Sequence, residues 1–400
     1  MLRVEMLCTG DEVLHGQIVD TNAAWLADYL FQQGAPMASR MTVGDELDAL
    51  VTALTERSHV ADILIVNGGL GPTSDDLSSL AAATAAGVPL VEHTEWLAKM
   101  TAYFADRGRP MSALNRKQAL IPDGAEILDN PVGTACGFAL KLNRCMLFFT
   151  PGVPSEFKVM VEQQIMPRLR QRFTLGEAPL CLRLTTFGRG ESDLASALAP
   201  LVLPPGVVLG YRCAVPIVEI KLTGPASQHD AMHALWRQVK GTVANSTVFE
   251  GTAGLPAQLA QTLSKRHLRL AIAEAFTAGL VHWQLRGANA PLAGGELLTA
   301  SSSALTAVAQ QAREQARELA QRCSAQVALV VGGLSEGRLS LALHTPSQTL
   351  AQTLQFNAAR YALSTQQEIV AMAALNMLRR WLSGISPYGG NGWIETVETC

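Results

Sequence analysis

The sequence predicts an α/β protein made of more than one domain, and three observations lead there. The chain has 400 residues, more than one hydrophobic core usually spans. It is 48% hydrophobic, 16% charged and 6% aromatic, a globular balance that excludes wholesale disorder, a collagen-like repeat or a coiled-coil rod. Its first stretch alternates short apolar runs with helix-period stripes, the rhythm of a mostly parallel sheet covered by helices on both faces.

Taken in order, residues 3–8 read as a strand and 22–33 as a helix, entered through Asp20 and Thr21 and closed by Gly34. Leu47, Leu50, Val51 and Leu54 fall on one stripe of a helix over 46–57, and 63–66 follows as a buried strand. A strand near 145–149, a turn at 151–154 and a helix carrying Phe157, Met160, Val161 and Ile165 close the region. Residues 174–179 read as a linker. After it, strand 180–187, helix 191–198, strands 207–211 and 217–222 and helix 228–239 make a small α+β unit. A third unit follows 251–254, with strand 268–273, helices 277–286 and 306–322, strands 325–331 and 339–344, and a long helix from about 366 to 382. The tail 383–400, with Pro387, Gly389, Gly390 and Gly392, reads as loosely packed.

A net charge of −3 supplies no basic field, so a nucleic-acid partner is not expected. No run of about 18 apolar residues exists, and Arg3, Glu5, Asp11 and Glu12 stand where a signal peptide needs its apolar stretch; the expectation is a cytoplasmic protein with no membrane partner. Seven scattered cysteines without a C-x-x-C pair read as reduced thiols. Neither they nor the histidines suggest a zinc centre, so any metal is expected on oxygen ligands.

The most informative segment is 67–76, Asn-Gly-Gly-Leu-Gly-Pro-Thr-Ser-Asp-Asp, between strand 63–66 and the helix through Leu80. Gly68, Gly69 and Gly71 let backbone approach an anion closely, a following helix adds unpaired N–H groups, and Thr73 and Ser74 add hydroxyls. Asp75 and Asp76 beside a phosphate would repel it unless a cation intervened, which points to a bridging Mg²⁺-type ion. The spacing matches neither Walker A nor G-x-G-x-x-G. The alternative is a tight strand-to-helix turn in which Asp76 helps cap the helix. Segment 9–12 offers Asp11 and Glu12 as site residues or as plain loop charges, and Asp45 is placed as an N-cap of the second helix. Asn115 and Lys117, and the loop with Gly133 and Thr134, supply amides, a cation and flexibility.

Together, Gly10-Asp11-Glu12, Asp20-Thr21-Asn22, the run 68–76, Asn115-x-Lys117-Gln118, Asn130-x-x-Gly133-Thr134 and Pro151-Gly152-Val153-Pro154-Ser155-Glu156 resemble the CinA (competence/damage-inducible) family, in order across about residues 1–170. The resemblance implies three domains: 1–170 with a three-layer MoaB/MogA-like molybdopterin-binding fold, 171–250 as a small KH-like α+β unit, and 251–400 as an α/β amidase-like unit. It implies a pyrophosphatase acting on a nucleotide diphosphate such as ADP-ribose or FAD, dependent on Mg²⁺, Mn²⁺ or Co²⁺ with K⁺ as an accessory ion, and a homodimer. Asp45 and Asp76 match the acidic positions of the related pterin-binding fold and are the expected metal ligands and, with Asp75, the catalytic residues. Asp11, Asn22, Asn115, Lys117, Gly133 and Thr134 are the expected substrate contacts.

The last domain departs from its pattern. Where the family's nicotinamide-nucleotide amidase signature reads Ala-Glu-Ser-Cys-Thr-Gly-Gly, this chain has Ala273-Glu274-Ala275-Phe276-Thr277-Ala278-Gly279, so Ala275 stands at the nucleophile position. No lysine follows Lys265 to serve as base, and the second glycine segment is reduced to Gly332-Gly333-Leu334-Ser335-Glu336-Gly337. Rescue would need a replacement nucleophile among Ser301, Ser302 and Ser303 and a base such as His282. In the middle unit Gly188-Arg189-Gly190-Glu191 has the wrong spacing for an RNA-clamping G-x-x-G loop, which favours a spacer. Two other readings stand beside the pyrophosphatase: a non-catalytic nucleotide- or pterin-binding module, and a structural or regulatory homo-oligomer.

Overall fold

The computed structural model describes residues 2–298, 309–356, 361–389, 392 and 394–400. The chain forms two compact units, Met1–Pro179 and Leu180–Cys400.

The first unit runs β1 (Val4–Thr9), α1 (Asp11–Leu14), α2 (Thr21–Gln32), β2 (Met37–Val43), α3 (Leu47–Val60), β3 (Ile63–Asn67), α4 (Ser78–Ala86), β4 (Leu90–Glu92), α5 (Thr94–Ala105), β5 (Leu120–Pro122), β6 (Glu126–Leu128), β7 (Gly137–Leu142), β8 (Cys145–Thr150), α6 (Pro154–Met160) and α7 (Met166–Arg172). Its main sheet has the order β2-β1-β3-β8-β7-β6. The first four strands are parallel, and β7 and β6 are antiparallel. Every residue of β1 and β3 is buried, as central parallel strands covered on both faces require.

Alternate side chains of these strands feed two cores. Leu7, Leu64, Val66 and Phe149 pack with Leu50, Leu54, Ala81 and Trp96. Val4, Met6, Ile63, Ile65 and Phe148 pack on the opposite face with Leu26, Leu30, Phe157 and Met160. The unit is therefore three layers, with helices on both sides of one sheet. Asp20 enters α2 as expected, its Oδ1 accepting from Ala23 N at 2.8 Å. Asp45 does not cap α3: Glu46 holds that position without a side-chain bond, and the Asp45 carboxylate turns to Asp11 instead.

The second unit runs β9 (Leu180–Phe187), α8 (Glu191–Leu198), β10 (Val208–Ala214), β11 (Ile217–Gly224), α9 (His229–Val243), β12 (Thr247–Glu250), α10 (Leu255–Lys265), β13 (Leu270–Glu274), α11 (Leu280–Gly287), β14 (Leu292–Leu297), α12 (Ala309–Arg322), β15 (Val327–Val331), β16 (Arg338–His344), β17 (Thr349–Gln355), α13 (Leu363–Leu382) and β18 (Glu395–Thr399). It carries a four-stranded antiparallel sheet, β10-β11-β9-β12, and a six-stranded sheet, β14-β13-β15-β16-β17-β18. Phe187 and Val248 of the smaller sheet share a core with Leu255, Leu259 and Leu263. Residues 394–400 of the tail are not loose: β18 pairs with β17, and Ile394 is buried.

Phe148 sits at the centre of β8 with no exposed surface. Phe148→Ala is expected to cost about 3–5 kcal/mol, the range for emptying an aromatic core site, read by chemical denaturation of the full chain.

Candidate active site

The carboxyl ends of β1, β3 and β8 meet where the glycine-rich loop leaves β3, the position at which open α/β sheets bind ligands. A buried asparagine pair ties the start of α2 to the ends of β3 and β8. Asn22 Nδ2, at the start of α2, donates to Asn67 Oδ1 at 3.0 Å and to the Gly152 carbonyl at 2.8 Å. Asn67 Nδ2 donates to Thr150 Oγ1 at 3.3 Å and to the Pro151 carbonyl at 2.7 Å. Gly68 N–H donates to the Thr150 carbonyl at 2.9 Å, and Ser78 Oγ donates to the Gly68 carbonyl at 2.8 Å.

The loop itself is shaped by close approach. Gly68 has φ +109°, and a Cβ there would stand 2.6 Å from Thr9 Oγ1. A Cβ on Gly71 would stand 2.4 Å from Asp76 Oδ2. That carboxylate accepts from Thr73 N at 2.8 Å and from the Thr73 hydroxyl, closing the turn on itself. Lys117 Nζ donates to the Thr73 carbonyl from outside the loop. Among the described residues the N–H groups of Gly69, Leu70 and Gly71 enter no hydrogen bond, so they remain available to an anion.

Around this loop lies a cleft of about 610 Å³. It gathers Asn22, Asp45, Gly68, Gly69, Gly71, Thr73, Asp75, Asp76 and Thr134 of the expected site residues. Asp11, Ser74, Asn115, Lys117 and Gly133 are not in its lining. Ser74 and Lys117 face a smaller hollow of about 220 Å³ on the other side of the loop, shared with Leu80 and Leu90. Asp11 acts from behind the wall: its N–H donates to Asp45 Oδ2 at 3.1 Å, and its Oδ1 accepts from Asp45 N at 3.2 Å. Asn115 Nδ2 and Thr134 Oγ1 both donate to Gln118 Oε1, each at 3.1 Å, and Gly133 lies against the Glu156 carboxylate. Sequence reasoning gave no separate role to Asn67, Gln118 or Glu156. Asn67 has a positional cue, an amide at a strand end; Gln118 lies in the short helical turn before β5, and Glu156 in the first turn of α6.

Six carboxylates line the cleft, those of Glu12, Asp20, Asp45, Asp75, Asp76 and Glu156, with no lysine or arginine among the lining residues. Burial and then the charges of Asp11, Glu12 and Asp75 push Asp45 above the ordinary carboxylate range, against the lowering effect of the Asp11 N–H. Asp75 is held below that range by the Thr73 hydroxyl, its own N–H and Lys117. Burial and the Asp20 carboxylate, which accepts from its Sγ at 3.0 Å, push the Cys8 thiol up, so it stays protonated. Among the described residues no three His, Cys, Asp or Glu side chains converge closely enough to hold a metal ion by themselves.

In the second unit, Ala275 follows β13 at the turn into α11. Glu274, 1% exposed, accepts from Thr277 Oγ1 at 2.6 Å, Val281 N at 3.0 Å and His282 N at 2.7 Å. None of these bonds uses the side chain of residue 275. Ala278 is forced to φ +50° where the family pattern has glycine. His282 packs against Gly295 of β14, and Ser301, Ser302 and Ser303 lie outside the described residues.

A three-layer unit with a glycine loop at its strand ends is of the molybdopterin-binding type, and the family model described as a probable molybdopterin binding domain matches residues 5–171. The whole chain is 58% identical over 399 residues to a CinA-like protein of Escherichia coli O9:H4 (strain HS), covering 100% of this chain and 99% of that one. The same identity and coverage hold for the NMN amidohydrolase-like protein YfaY of Escherichia coli (strain K12). The chain belongs to the CinA-like family. A solved structure of the protein CinA with unknown function from Thermoplasma acidophilum is 28% identical, with a TM-score of 0.38, over 42% of this chain and 96% of that one. Among the described residues no helix is long and apolar enough to cross a membrane.

An acid raised in the folded state stabilises the fold at low pH and gives that up as pH rises through the raised value. Asp45→Asn is therefore expected to raise the thermal midpoint at neutral pH, a gain that shrinks as pH falls through the raised value and is gone below about pH 4. Ala278→Gly is expected to stabilise the chain by about 1 kcal/mol, since it relieves a left-handed alanine, with denaturant midpoints as the readout.

Proposed function

We propose that the first unit is a metal-dependent nucleotide pyrophosphatase acting on ADP-ribose, FAD or a related dinucleotide, and that residues 251–400 keep an amidase-like fold without amidase activity. The observation that carries the first half is the make-up of the cleft: free loop N–H groups beside six carboxylates and no cationic side chain in the lining. A diphosphate entering alone would meet like charge on most sides, so this cleft suits it only in the company of cations.

The donor set is all oxygen, which fits Mg²⁺, Mn²⁺ or Co²⁺, with K⁺ as an accessory ion. Mg²⁺ is commonly held by one or two carboxylates together with the phosphates of its substrate, so a site of two protein ligands is sufficient. Asp45 and Asp76 are the residues that would hold it, with Asp75 beside them. Such an ion, when bound, supplies neutralisation of phosphate charge and a more acidic water. The chain does the rest. Backbone N–H groups of Gly69 and Gly71 orient phosphate oxygens, and Thr73 keeps Asp76 in place. Homodimerisation, implied by the family resemblance, belongs to the same reading.

For the second half, the likeness expressed in the name of the K12 relative reaches this chain as a fold. Ala275 offers no nucleophile, and no lysine follows Lys265.

Hydrolysis of ADP-ribose and FAD with each of the three divalent metals is the test. Asp76→Ala is expected to lose about a hundredfold or more in rate, the scale of removing a charge-stabilising group, and a variant as active as wild type would sink the assignment. Thermal stabilisation by the dinucleotide without phosphate release would select the non-catalytic binding module instead. Wild-type protein is expected to release no ammonia from nicotinamide mononucleotide; measurable release would overturn the second half.

A further inference from the structure

We propose that His229 and His233 form a binding site for a divalent transition-metal ion of the Zn²⁺, Ni²⁺ or Cu²⁺ class on the solvent side of α9. The two residues read His-x-x-x-His, a pair that the expectation of oxygen ligands alone passed over. Residues four apart stand above one another on a helix, and here the two imidazole centroids are 4.3 Å apart. The helix is anchored on another stripe, through Met232, Leu235, Trp236, Val239 and Val243, which leaves the pair outside the core. The His229 side chain is 61% exposed, so an ion reaches it from solvent.

Asp230 decides which nitrogen is presented. Its Oδ1 lies 3.0 Å from His229 Nδ1, and a carboxylate accepts hydrogen bonds only. Nδ1 therefore carries the proton, which leaves the lone pair on Nε2, the form in which imidazole ligates a metal. A carboxylate on the far ring nitrogen is the usual companion of a metal-bound histidine, and it raises ligand basicity. Since no three such side chains converge among the described residues, Asp230 acts on His229 while water completes the shell of the ion. Two imidazoles select borderline metals, whereas Mg²⁺ and Ca²⁺ prefer oxygen. The chain thus offers two kinds of ion site, an oxygen-lined cleft in the first unit and a nitrogen pair in the second.

The test is calorimetric titration of the full chain with Ni²⁺ or Zn²⁺, with Mg²⁺ in excess to occupy the carboxylates of the cleft. Wild type is expected to take up one ion, with affinity at least about tenfold weaker in His229→Gln and in His233→Gln, and about tenfold weaker in Asp230→Ala. His229 is at the surface, so its variant keeps the fold; Ni²⁺ should raise the thermal midpoint of wild type and leave that of His229→Gln unchanged. No uptake by wild type, or equal affinity in wild type and both histidine variants, overturns the proposal.

Discussion

The first unit depends on the buried Asn22–Asn67 pair. Each amide spends both its N–H bonds on fixed acceptors, and those acceptors belong to the ends of β3 and β8 and to the turn after β8. The pair therefore sets the height at which the glycine loop leaves the sheet. Leucine in place of Asn22 would leave the Asn67 side-chain oxygen and the Gly152 carbonyl without this donor, and leucine in place of Asn67 would do the same to Thr150 Oγ1 and the Pro151 carbonyl, at about 1–3 kcal/mol for each buried group left unpaired. The loop is then closed by groups that are themselves fixed, Ser78 beneath it and Lys117 outside it. A site built this way is organised before any ligand arrives, because its donors have little conformational freedom left to lose.

Charge is arranged on the same principle and at a cost. The Asp11–Asp45 exchange of backbone and carboxylate bonds holds two acids side by side, while Glu12 and Asp75 add further negative charge. Asp20 and Glu156 are occupied by local donors, Ala23 N–H and the Asn130 amide. Asp45 and Asp76 likewise accept from local donors, Asp11 N–H and Thr73, and Glu12 and Asp75 complete the lining. Like charges held together in this way oppose folding, a cost that strain at functional sites commonly carries.

Much of this was legible in the sequence, and the exceptions have physical reasons. Strands β1, β3 and β8 and helices α2 and α9 announce themselves because their apolar residues repeat at the right period. Strands β17 and β18 do not, since Gln352, Thr353, Gln355 and the acidic run at 395–399 give an edge of the sheet no apolar signature. Strand β14 is hidden by Gly294 and Gly295. The loop at 67–76 was readable as a site because its glycines and acids are contiguous. The partnership of Asp45 with Asp11 was not, because it joins residues 34 apart and overrides the capping role that local pattern assigned to Asp45. Ser74 was placed in the cleft by its position in the loop and Lys117 by the family resemblance, yet both line the hollow on the far side of the loop.

Glu274 carries a separate lesson. Three donors converge on its buried carboxylate, and none of them comes from residue 275. The turn that would present a nucleophile is thus held by a neighbour that takes no part in attack. What holds this turn and what it presents to solvent therefore rest on different side chains, so a change at residue 275 alters the presented group and leaves the bonds that shape the turn in place.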